Sequence, residues 1–398
     1  MPMMPVEHAL ARLLESAEAR PITERETLIL AQAQGRVLAQ DIVATLDLPP
    51  WPNSAMDGYA LRLADWHGEP LAVSQRILAG QAPEPLAPGT CARIFTGAPV
   101  PAGADCVEMQ ENAEVLADGR VRFTQALNLE QNIRPQGQET RCGERVLSAG
   151  TRLGPVELGL AASLGVARLE VVRRPRVAVV STGDELVEPG QPLAPGQIYN
   201  SNRVLLCSWL QRLECDVIDA GILADDLEQT RAALAGLGHV DLIVSTGGVS
   251  VGEADFLGHA LREDGELDLW KLAIKPGKPL TFGHYRGVPV LGLPGNPAST
   301  LVTFALLARP YLLRRQGVQA VTPLQFQVPA AFAWTRAGTR REYLRARLEQ
   351  GRALPYRNQS SGVLRSAVWA DGLIEVREGT TLAEGDAVIF IPLSEVLG

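Results

Sequence analysis

Two apolar runs that end in the same three residues are the clearest pattern in the chain. Residues 177–180 and 242–244 are continuously hydrophobic, and Ser-Thr-Gly follows each run, at 181–183 and 245–247. Short apolar runs broken by glycine are typical of buried parallel strands. A third run, at 288–293, leads into a Pro-Gly-Asn-Pro turn at 294–297. The pattern predicts an open α/β sheet, and ligands bind at the carboxyl ends of the strands in such sheets.

The spacing of apolar positions predicts the elements around these strands. A period of about 3.6 residues indicates helices at 6–17, 155–164, 202–213, 227–236 and 298–307, and short apolar stretches indicate strands at 37–43 and 216–221. Thr23 and Glu26 have the spacing of a capping box, which predicts a helix that ends near Gly35. Lys271 and Lys275 are an even number of positions apart, so a strand through both would present them on one face.

Changes in composition and in the spacing of apolar residues divide the chain into four parts, which together predict a multidomain α/β protein. Residues 46–140 are rich in proline and turn signals between short alternating runs. They indicate a mostly-β domain inserted into an N-terminal α+β unit, which consists of residues 1–45 and 141–173. Residues 174–322 hold the central α/β domain, and residues 323–398 alternate in the manner of a β-barrel-like C-terminal domain.

Composition excludes several classes of protein. The net charge of −8 argues against a nucleic-acid surface, which needs a basic face. No apolar run approaches the roughly 20 residues that span a bilayer, so we expect no membrane contact. The five cysteines form no CxxC pair, and their odd number argues against a disulfide framework. We therefore expect reduced thiols and a cytoplasmic location. Zinc-enzyme, P-loop and dinucleotide fingerprints are missing from the sequence.

Carboxylates follow both Ser-Thr-Gly loops. Asp184 and Glu185 come directly after the first loop, and Glu253 and Asp255 come shortly after the second. Mg²⁺ takes one or two carboxylates together with substrate phosphate oxygens, so these loops predict a site for magnesium and a phosphate group. The alternative is that Glu185 and Glu253 cap the helices that follow.

Two nearby segments offer positive charge and backbone amides. Lys271, Lys275 and Lys278 can form a cationic wall for an oxyanion, and the alternative is that they are ordinary solvated lysines. The turn at 294–297 precedes a predicted helix and can receive a negative group. The alternative there is a purely structural turn.

Six motifs, in order along almost the whole chain, resemble those of the molybdopterin molybdenumtransferases, the MoeA family, whose eukaryotic counterpart is the E domain of gephyrin. They lie at 52–60, 94–101, 181–186, 245–255, 271–279 and 293–299. The resemblance implies elongated homodimers of four domains, with the active cleft between the α/β domain of one subunit and other domains of its partner. It also implies insertion of molybdenum from molybdate into adenylylated molybdopterin, release of AMP, and a requirement for Mg²⁺. Transient contacts with molybdopterin adenylyltransferase and acceptor molybdoenzymes would follow.

The same resemblance assigns site residues by position. It implies catalytic roles for Asp57, Thr96, Glu185, Asp225, Asp255, Lys271 and Lys275, with Glu185 and Asp255 as Mg²⁺ ligands. Binding of the molybdopterin substrate is implied for Ser181, Thr182, Gly183, Ser245, Thr246, Gly247, Gly248, Ser250, Glu253, Lys278, Pro294, Gly295, Asn296 and Pro297. In the C-terminal domain, where the resemblance is looser, Arg341 and Ser366 are predicted to contact the substrate from the partner subunit.

Two other functions stay open at this point. A molybdopterin adenylyltransferase shares the α/β domain and its Ser-Thr-Gly-Gly loop, but such an enzyme would not need residues 1–170 or 323–398. A non-catalytic molybdopterin-binding scaffold is the second, although the sequence has no long linker and no segment that resembles a partner-binding tail.

Overall fold

The computed structural model describes residues 3–223, 226–247 and 256–397. A six-stranded sheet occupies the central part of the chain, with a four-stranded sheet before it and a second six-stranded sheet formed largely by the C-terminal part. The predicted multidomain fold class, with a central open α/β sheet, is confirmed. No helix in the described ranges combines the length and apolar character that crossing a membrane would take.

The first part of the chain contains an N-terminal unit interrupted by a β insertion. It begins with helix α1 (Val6–Ala19) and strands β1 (Arg25–Ile29) and β2 (Ile42–Val43). The inserted strands are β3 (Asn53–Ser54), β4 (Gly58–Leu61), β5 (Ala72–Ile77), β6 (Thr90–Ile94), β7 (Cys106–Met109), β8 (Ala113–Val115), β9 (Val121–Phe123) and β10 (Ile133–Arg134). The N-terminal unit resumes with β11 (Arg145–Leu147), helix α2 (Pro155–Ser163) and β12 (Arg168–Val172). Strands β1 and β2 pair with β12 and β11, so the two halves of this unit close around the insertion.

The helix predicted from Thr23 to Gly35 is wrong. Arg25–Ile29 forms strand β1, which pairs antiparallel with β12 along its whole length, and only Leu30–Gln32 forms a short helical turn. A capping box is a local signal, whereas the sheet partner of this segment lies beyond the entire insertion. Tertiary pairing overrides local propensity in such cases.

The central domain alternates strands and helices. Its strands are β13 (Arg176–Thr182), β14 (Leu186–Val187), β15 (Ile198–Tyr199), β16 (Asp216–Leu223), β17 (Leu242–Thr246), β18 (Gly265–Lys271), β19 (Ile274–Lys275), β20 (Pro279–Tyr285) and β21 (Val288–Leu293). Its helices are α3 (Ser201–Arg212), α4 (Leu227–Gly236), α5 (Phe256–Asp264), α6 (Pro297–Thr303) and α7 (Arg309–Arg315), with a π-helical turn at Phe304–Ala308. The sheet order is β16-β13-β17-β21-β20-β18; the first four strands pair in parallel, and β20 pairs antiparallel with both β21 and β18.

Helix α1 packs on the central domain, although its sequence neighbours belong to the N-terminal unit. Ala9, Leu13 and Ala17 are fully buried in the same core as the strands and helices of the central sheet. Just before the helix, Met4 pairs with Leu272 in a parallel bridge. The helix therefore ties the start of the chain to its middle.

The C-terminal part forms the second six-stranded sheet. Its elements are β22 (Phe326–Pro329), β23 (Arg341–Glu349), β24 (Arg352–Pro355), α8 (Arg365–Trp369), β25 (Gly372–Val376), β26 (Ala387–Pro392) and α9 (Leu393–Leu397). The short strand β19 of the central domain joins this sheet by pairing with β23. The two domains are thus connected by backbone hydrogen bonds.

Candidate active site

A cavity of about 530 Å³ opens at the carboxyl ends of β13, β17 and β21. Thr182 and Thr246 end the first two strands, and the turn after β21 contributes Gly295, Asn296 and Pro297. The other lining residues are Glu185, Leu186, Ile198, Tyr199, Asn200, Ser201, Asn202, Gly247 and Gly362. The structure therefore brings both Ser-Thr-Gly loops and the Gly-Asn-Pro turn to the sheet edge where ligands bind in this fold class.

Asn202 ties two of these loops together, and sequence analysis missed it. Its Nδ2 donates to Thr246 Oγ1 at 2.8 Å and to the carbonyl oxygen of Gly295 at 2.7 Å. The residue is only 7% exposed. In the sequence it is a polar residue at the start of a predicted helix, a position where such residues usually cap the helix. Its bridging role depends on a fold that the local pattern does not reveal.

Two glycines shape the loops, and one of them lets the two loops approach each other closely. Gly247 has a φ of 84°, and a Cβ at this position would lie 2.7 Å from the carbonyl oxygen of Thr182. Gly183 has a φ of 136°, and a Cβ there would lie 2.5 Å from Glu185 Oε2. Gly247 therefore needs glycine for backbone conformation and for space, whereas Gly183 needs it for its positive φ, since the Glu185 side chain can move.

Ser181 and Ser245 are strand residues behind the cavity. Both are fully buried, and neither hydroxyl has a hydrogen-bond partner among the described residues. Pro294 is also buried, and its carbonyl oxygen accepts a hydrogen bond from the Thr300 hydroxyl at 2.6 Å. These three predicted site residues lie behind the loops and support them, and they do not line the cavity.

Glu185 is the predicted metal ligand that the structure places at the cavity. No helix follows it, because Leu186–Val187 pairs with Ile198–Tyr199, so the interpretation of Glu185 as a helix cap is wrong. Among residues 3–223, 226–247 and 256–397, no group of three or more His, Cys, Asp or Glu side chains could hold a metal. A single exposed carboxylate still fits Mg²⁺, which takes one or two carboxylates and completes its shell with substrate and water oxygens.

Five predicted site residues lie outside the described residues: Asp225, Gly248, Ser250, Glu253 and Asp255. Their assigned roles, including the second Mg²⁺ ligand, stay predictions.

The prediction that Lys271 and Lys275 share one strand face is wrong. Lys271 ends β18 in the central sheet, whereas Lys275 lies in β19 and belongs to the C-terminal sheet. Lys275 Nζ forms an ion pair with Glu342 at 3.1 Å. Lys278 lies next to Lys271, since its carbonyl oxygen accepts from the Leu272 amide at 2.7 Å. In the described part of the chain, none of the three lysines belongs to the cavity lining.

Asp57 and Thr96 form a compact unit in the inserted domain. The Thr96 backbone N–H and hydroxyl donate to Asp57 Oδ1 at 2.7 and 2.8 Å. These two hydrogen bonds, the backbone one first, hold the pKa of Asp57 below its ordinary value. Neither residue lines the strand-end cavity as the described residues define it.

The C-terminal domain reaches the cavity through Gly362. The carbonyl oxygen of the preceding Ser361 accepts a hydrogen bond from the Ala298 amide at 2.9 Å, which joins this loop to the start of α6. Arg341 is placed elsewhere: it forms ion pairs with Glu7 and Glu378, and it does not line this cavity in the described structure. Ser366 is fully buried, so it supports the loop without reaching the cavity.

Models of known protein families match nearly the whole chain. Residues 4–165 match the family model of the MoeA N-terminal region, domains I and II. Residues 178–314 match a probable molybdopterin binding domain, and residues 327–393 match the MoeA C-terminal region, domain IV. Molybdopterin molybdenumtransferase from Haemophilus influenzae is 39% identical over the full length of both chains.

The chain belongs to the MoeA family of molybdopterin molybdenumtransferases. Molybdopterin molybdenumtransferase 2 from Mycobacterium tuberculosis is also 39% identical, over 90% of this chain and 91% of the relative. The crystal structure of the MoeA protein from Pyrococcus horikoshii superposes with a TM-score of 0.84 at 27% identity, and it covers 98% of this chain and 100% of that chain.

The strand-end cavity of this MoeA-family chain falls across two of the matched regions. Thr182 to Pro297 lie in the molybdopterin-binding region, and Gly362 lies in the region matched to domain IV. Asp57 and Thr96 lie in the third region, matched to domains I and II. The predicted site residues therefore come from all three parts of the family architecture.

Proposed function

We propose that this chain inserts molybdenum from molybdate into adenylylated molybdopterin and releases AMP. The observation that carries the proposal is the cavity at the ends of β13, β17 and β21, whose lining, except for Gly362, lies within the region matched to a molybdopterin-binding domain. Its loops combine small residues, polar side chains and one carboxylate. This is the chemistry that a phosphate-bearing substrate needs at a sheet edge.

We propose a role for Glu185 from its place at the cavity, and roles for the other residues from the family resemblance. Glu185 would hold Mg²⁺, and Asp255 would be the second carboxylate. A bound Mg²⁺ would supply charge neutralisation at the phosphoanhydride that breaks. Lys271 and Lys278 would add positive charge for molybdate or phosphate, because stabilising developing charge is the main electrostatic task in such chemistry. Lys275 would act from the junction with the C-terminal domain, where it is paired with Glu342.

A homodimer would complete this site. Asp57 and Thr96, which we expect to act in catalysis, do not line the cavity of their own chain in the described structure. A partner subunit could bring its inserted domain to the cavity. We also propose a cytoplasmic enzyme, because the five cysteines are free thiols, and transient contacts with molybdopterin adenylyltransferase and acceptor molybdoenzymes, which would supply its substrate and take its product.

The test is AMP release by the purified protein from adenylylated molybdopterin, Mg²⁺ and molybdate. We expect AMP release to depend on molybdate and on Mg²⁺, and the product to activate a cofactor-free molybdoenzyme. Glu185→Ala should lose AMP release, and higher Mg²⁺ should restore part of it. Asp184→Ala is the matched control, because Asp184 is exposed and does not belong to the described cavity lining. Equal activity of Glu185→Ala and wild type would discard the metal-binding role.

The same assay separates the second candidate function. An adenylyltransferase would consume ATP with free molybdopterin and would show no molybdate-dependent AMP release. Binding of the pterin without either reaction would instead support a scaffold.

A further inference from the structure

The cavity contains two buried amide side chains whose hydrogen-bonding capacity is only partly used. Asn200 and Asn202 are 2% and 7% exposed, and both belong to the cavity lining. Asn200 Nδ2 and Asn202 Oδ1 have no hydrogen-bond partner among the described residues. A buried polar atom without a partner is costly, and because both residues line the cavity, a bound ligand can supply the missing partners.

The partners of the other two amide atoms fix which atom is free. Asn200 Oδ1 accepts from the backbone N–H of Arg203 at 3.3 Å, and only an oxygen can do so. Asn202 Nδ2 donates to the carbonyl oxygen of Gly295, and only a nitrogen can do so. The unused atoms are therefore one donor, on Asn200, and one acceptor, on Asn202. Exchanging oxygen and nitrogen in either amide would break an existing bond.

We propose that Asn200 and Asn202 recognise the heterocyclic edge of the substrate, with Asn200 Nδ2 as donor and Asn202 Oδ1 as acceptor. The proposal rests on the function proposed above, and it names the part of the substrate that these two residues bind. The complementary edge presents an acceptor beside an N–H donor. Adenine has such an edge, with its ring N1 beside its 6-amino group. The pterin ring has another, with its 4-oxo group beside N3–H.

Hydrogen bonds to neighbouring segments hold both amides in place at the start of helix α3. The amide N–H of Asn200 donates to the carbonyl oxygen of Val187 at 3.0 Å, and Asn200 also caps helix α3. Asn202 is fixed by its bonds to Thr246 and Gly295. A site that is built to hydrogen-bond a ligand in this way discriminates strongly against a ligand that leaves its groups unpaired.

Asn200→Asp is a selective test. The substitution keeps the Oδ1 that caps α3, and it replaces the free Nδ2 donor with a second acceptor. A carboxylate costs more to bury than an amide, so we expect a lower thermal midpoint, and binding is measured well below it. We expect AMP to bind roughly ten- to hundredfold more weakly, which corresponds to one lost hydrogen bond with an unpaired partner. Ribose 5-phosphate, which lacks the ring, reports how much of the loss comes from the new negative charge.

The choice of ligands distinguishes recognition of adenine from recognition of the pterin ring. Calorimetric titration measures the binding of AMP, ribose 5-phosphate and 6-hydroxymethylpterin, so that each ring is tested. Asn128→Asp, in the inserted domain, is the substitution control. A selective loss of AMP over ribose 5-phosphate identifies the adenine edge, and a selective loss of the pterin identifies the pterin edge. A variant that binds all three ligands as wild type does would overturn the proposal. If that variant and wild type also show equal molybdate-dependent AMP release, the proposed function stands and only the recognition role fails.

Discussion

Arg345 Nε donates a hydrogen bond to Ser366 Oγ at 3.0 Å, and both residues are completely buried. The guanidinium also donates to the carbonyl oxygens of Ser360 and Tyr343 at 3.2 and 3.4 Å. Among the described residues it has no carboxylate partner, and burial lowers the pKa of Arg345 to about 10. Arg345 therefore holds the loop that contributes Gly362 to the cavity by hydrogen bonds to neutral acceptors alone.

Arg345→Lys should loosen this loop. Lysine keeps the charge but cannot donate to Ser366 and Ser360 at once, because it lacks the planar fork of arginine. We expect a loss of about 2–3 kcal/mol in the free energy of unfolding, measured by urea denaturation. Arg352→Lys, which affects a half-exposed ion pair with Glu384 in the same domain, should cost less than about 1 kcal/mol. Similar losses in both variants would contradict the anchoring role.

Asp241 is the centre of a buried ion-pair network. Its carboxylate accepts from Arg173 at 2.6 and 2.9 Å and lies 3.8 Å from the Arg315 guanidinium. Asp241→Asn should lower the free energy of unfolding by about 3–5 kcal/mol, because it takes a charged partner from two buried guanidinium groups and leaves Arg173 only the exposed Glu24. Asp268→Asn, in an exposed ion pair with Arg12, should cost less than about 1 kcal/mol.

We also expect the stability difference between wild type and Asp241→Asn to depend on pH. Burial raises the pKa of Asp241, but its hydrogen bonds with Arg173 and the Arg176 amide lower it by more, so the folded value lies below the ordinary 3.8. The stabilisation is complete above the unfolded pKa and is lost as the pH falls through the lower folded pKa. The stability difference between wild type and Asp241→Asn should therefore be constant near neutral pH and shrink below about pH 4. A constant difference down to acid pH would refute this interpretation.

Thr96→Val tests the unit formed with Asp57. The variant removes the hydroxyl donor and keeps the backbone N–H, which is the stronger cause of the lowered pKa of Asp57. We expect the pKa of Asp57 to rise part of the way toward its ordinary value, as measured by carbon-detected NMR titration of the carboxylate. Asp41 provides an internal control, since the pKa of its carboxylate is lowered mainly by the Ala149 amide and should not change.

Gly247→Ala tests the close approach of the two Ser-Thr-Gly loops. We expect a loss of about 2–4 kcal/mol in the free energy of unfolding, from the positive φ together with the contact to the Thr182 carbonyl oxygen. Gly89→Ala is the matched control, because Gly89 has a φ of 71° but no atom lies within 4 Å of the position that its Cβ would take. It should cost only about 1–2 kcal/mol, from the backbone conformation. Equal costs would show that the loops can separate freely.

The sequence predicted those parts of the molecule whose signals are local. Continuous apolar runs identified β13 and β17, and periodicity identified α3 and α4 closely. Because parallel strands end at one edge of a sheet, the same signals placed Thr182, Thr246 and Gly295 at a common cavity. These features needed no knowledge of distant contacts.

The sequence alone did not predict features that depend on residues far apart along the chain. Strand β1 was predicted as a helix because its partner β12 lies beyond the insertion. Arg341 was predicted from a loose family resemblance, whereas the arginine that the fold buries completely is Arg345, which only packing distinguishes. Asn202 was not predicted as a site residue, because its bonds to Thr246 and Gly295 exist only once three segments meet.

The packing of α1 on the central domain has a consequence for synthesis of the chain. The bridge from Met4 leads to Leu272, so the ribosome must add roughly 250 residues after the helix before its partners emerge. At about 5–20 residues per second, that interval lasts tens of seconds. The inserted sheet, whose strands lie between Gly58 and Met109, can close long before then. Through the whole delay the apolar face of Ala9, Leu13 and Ala17 lacks the partners that bury it in the folded chain, so docking of the first helix is a late step of folding.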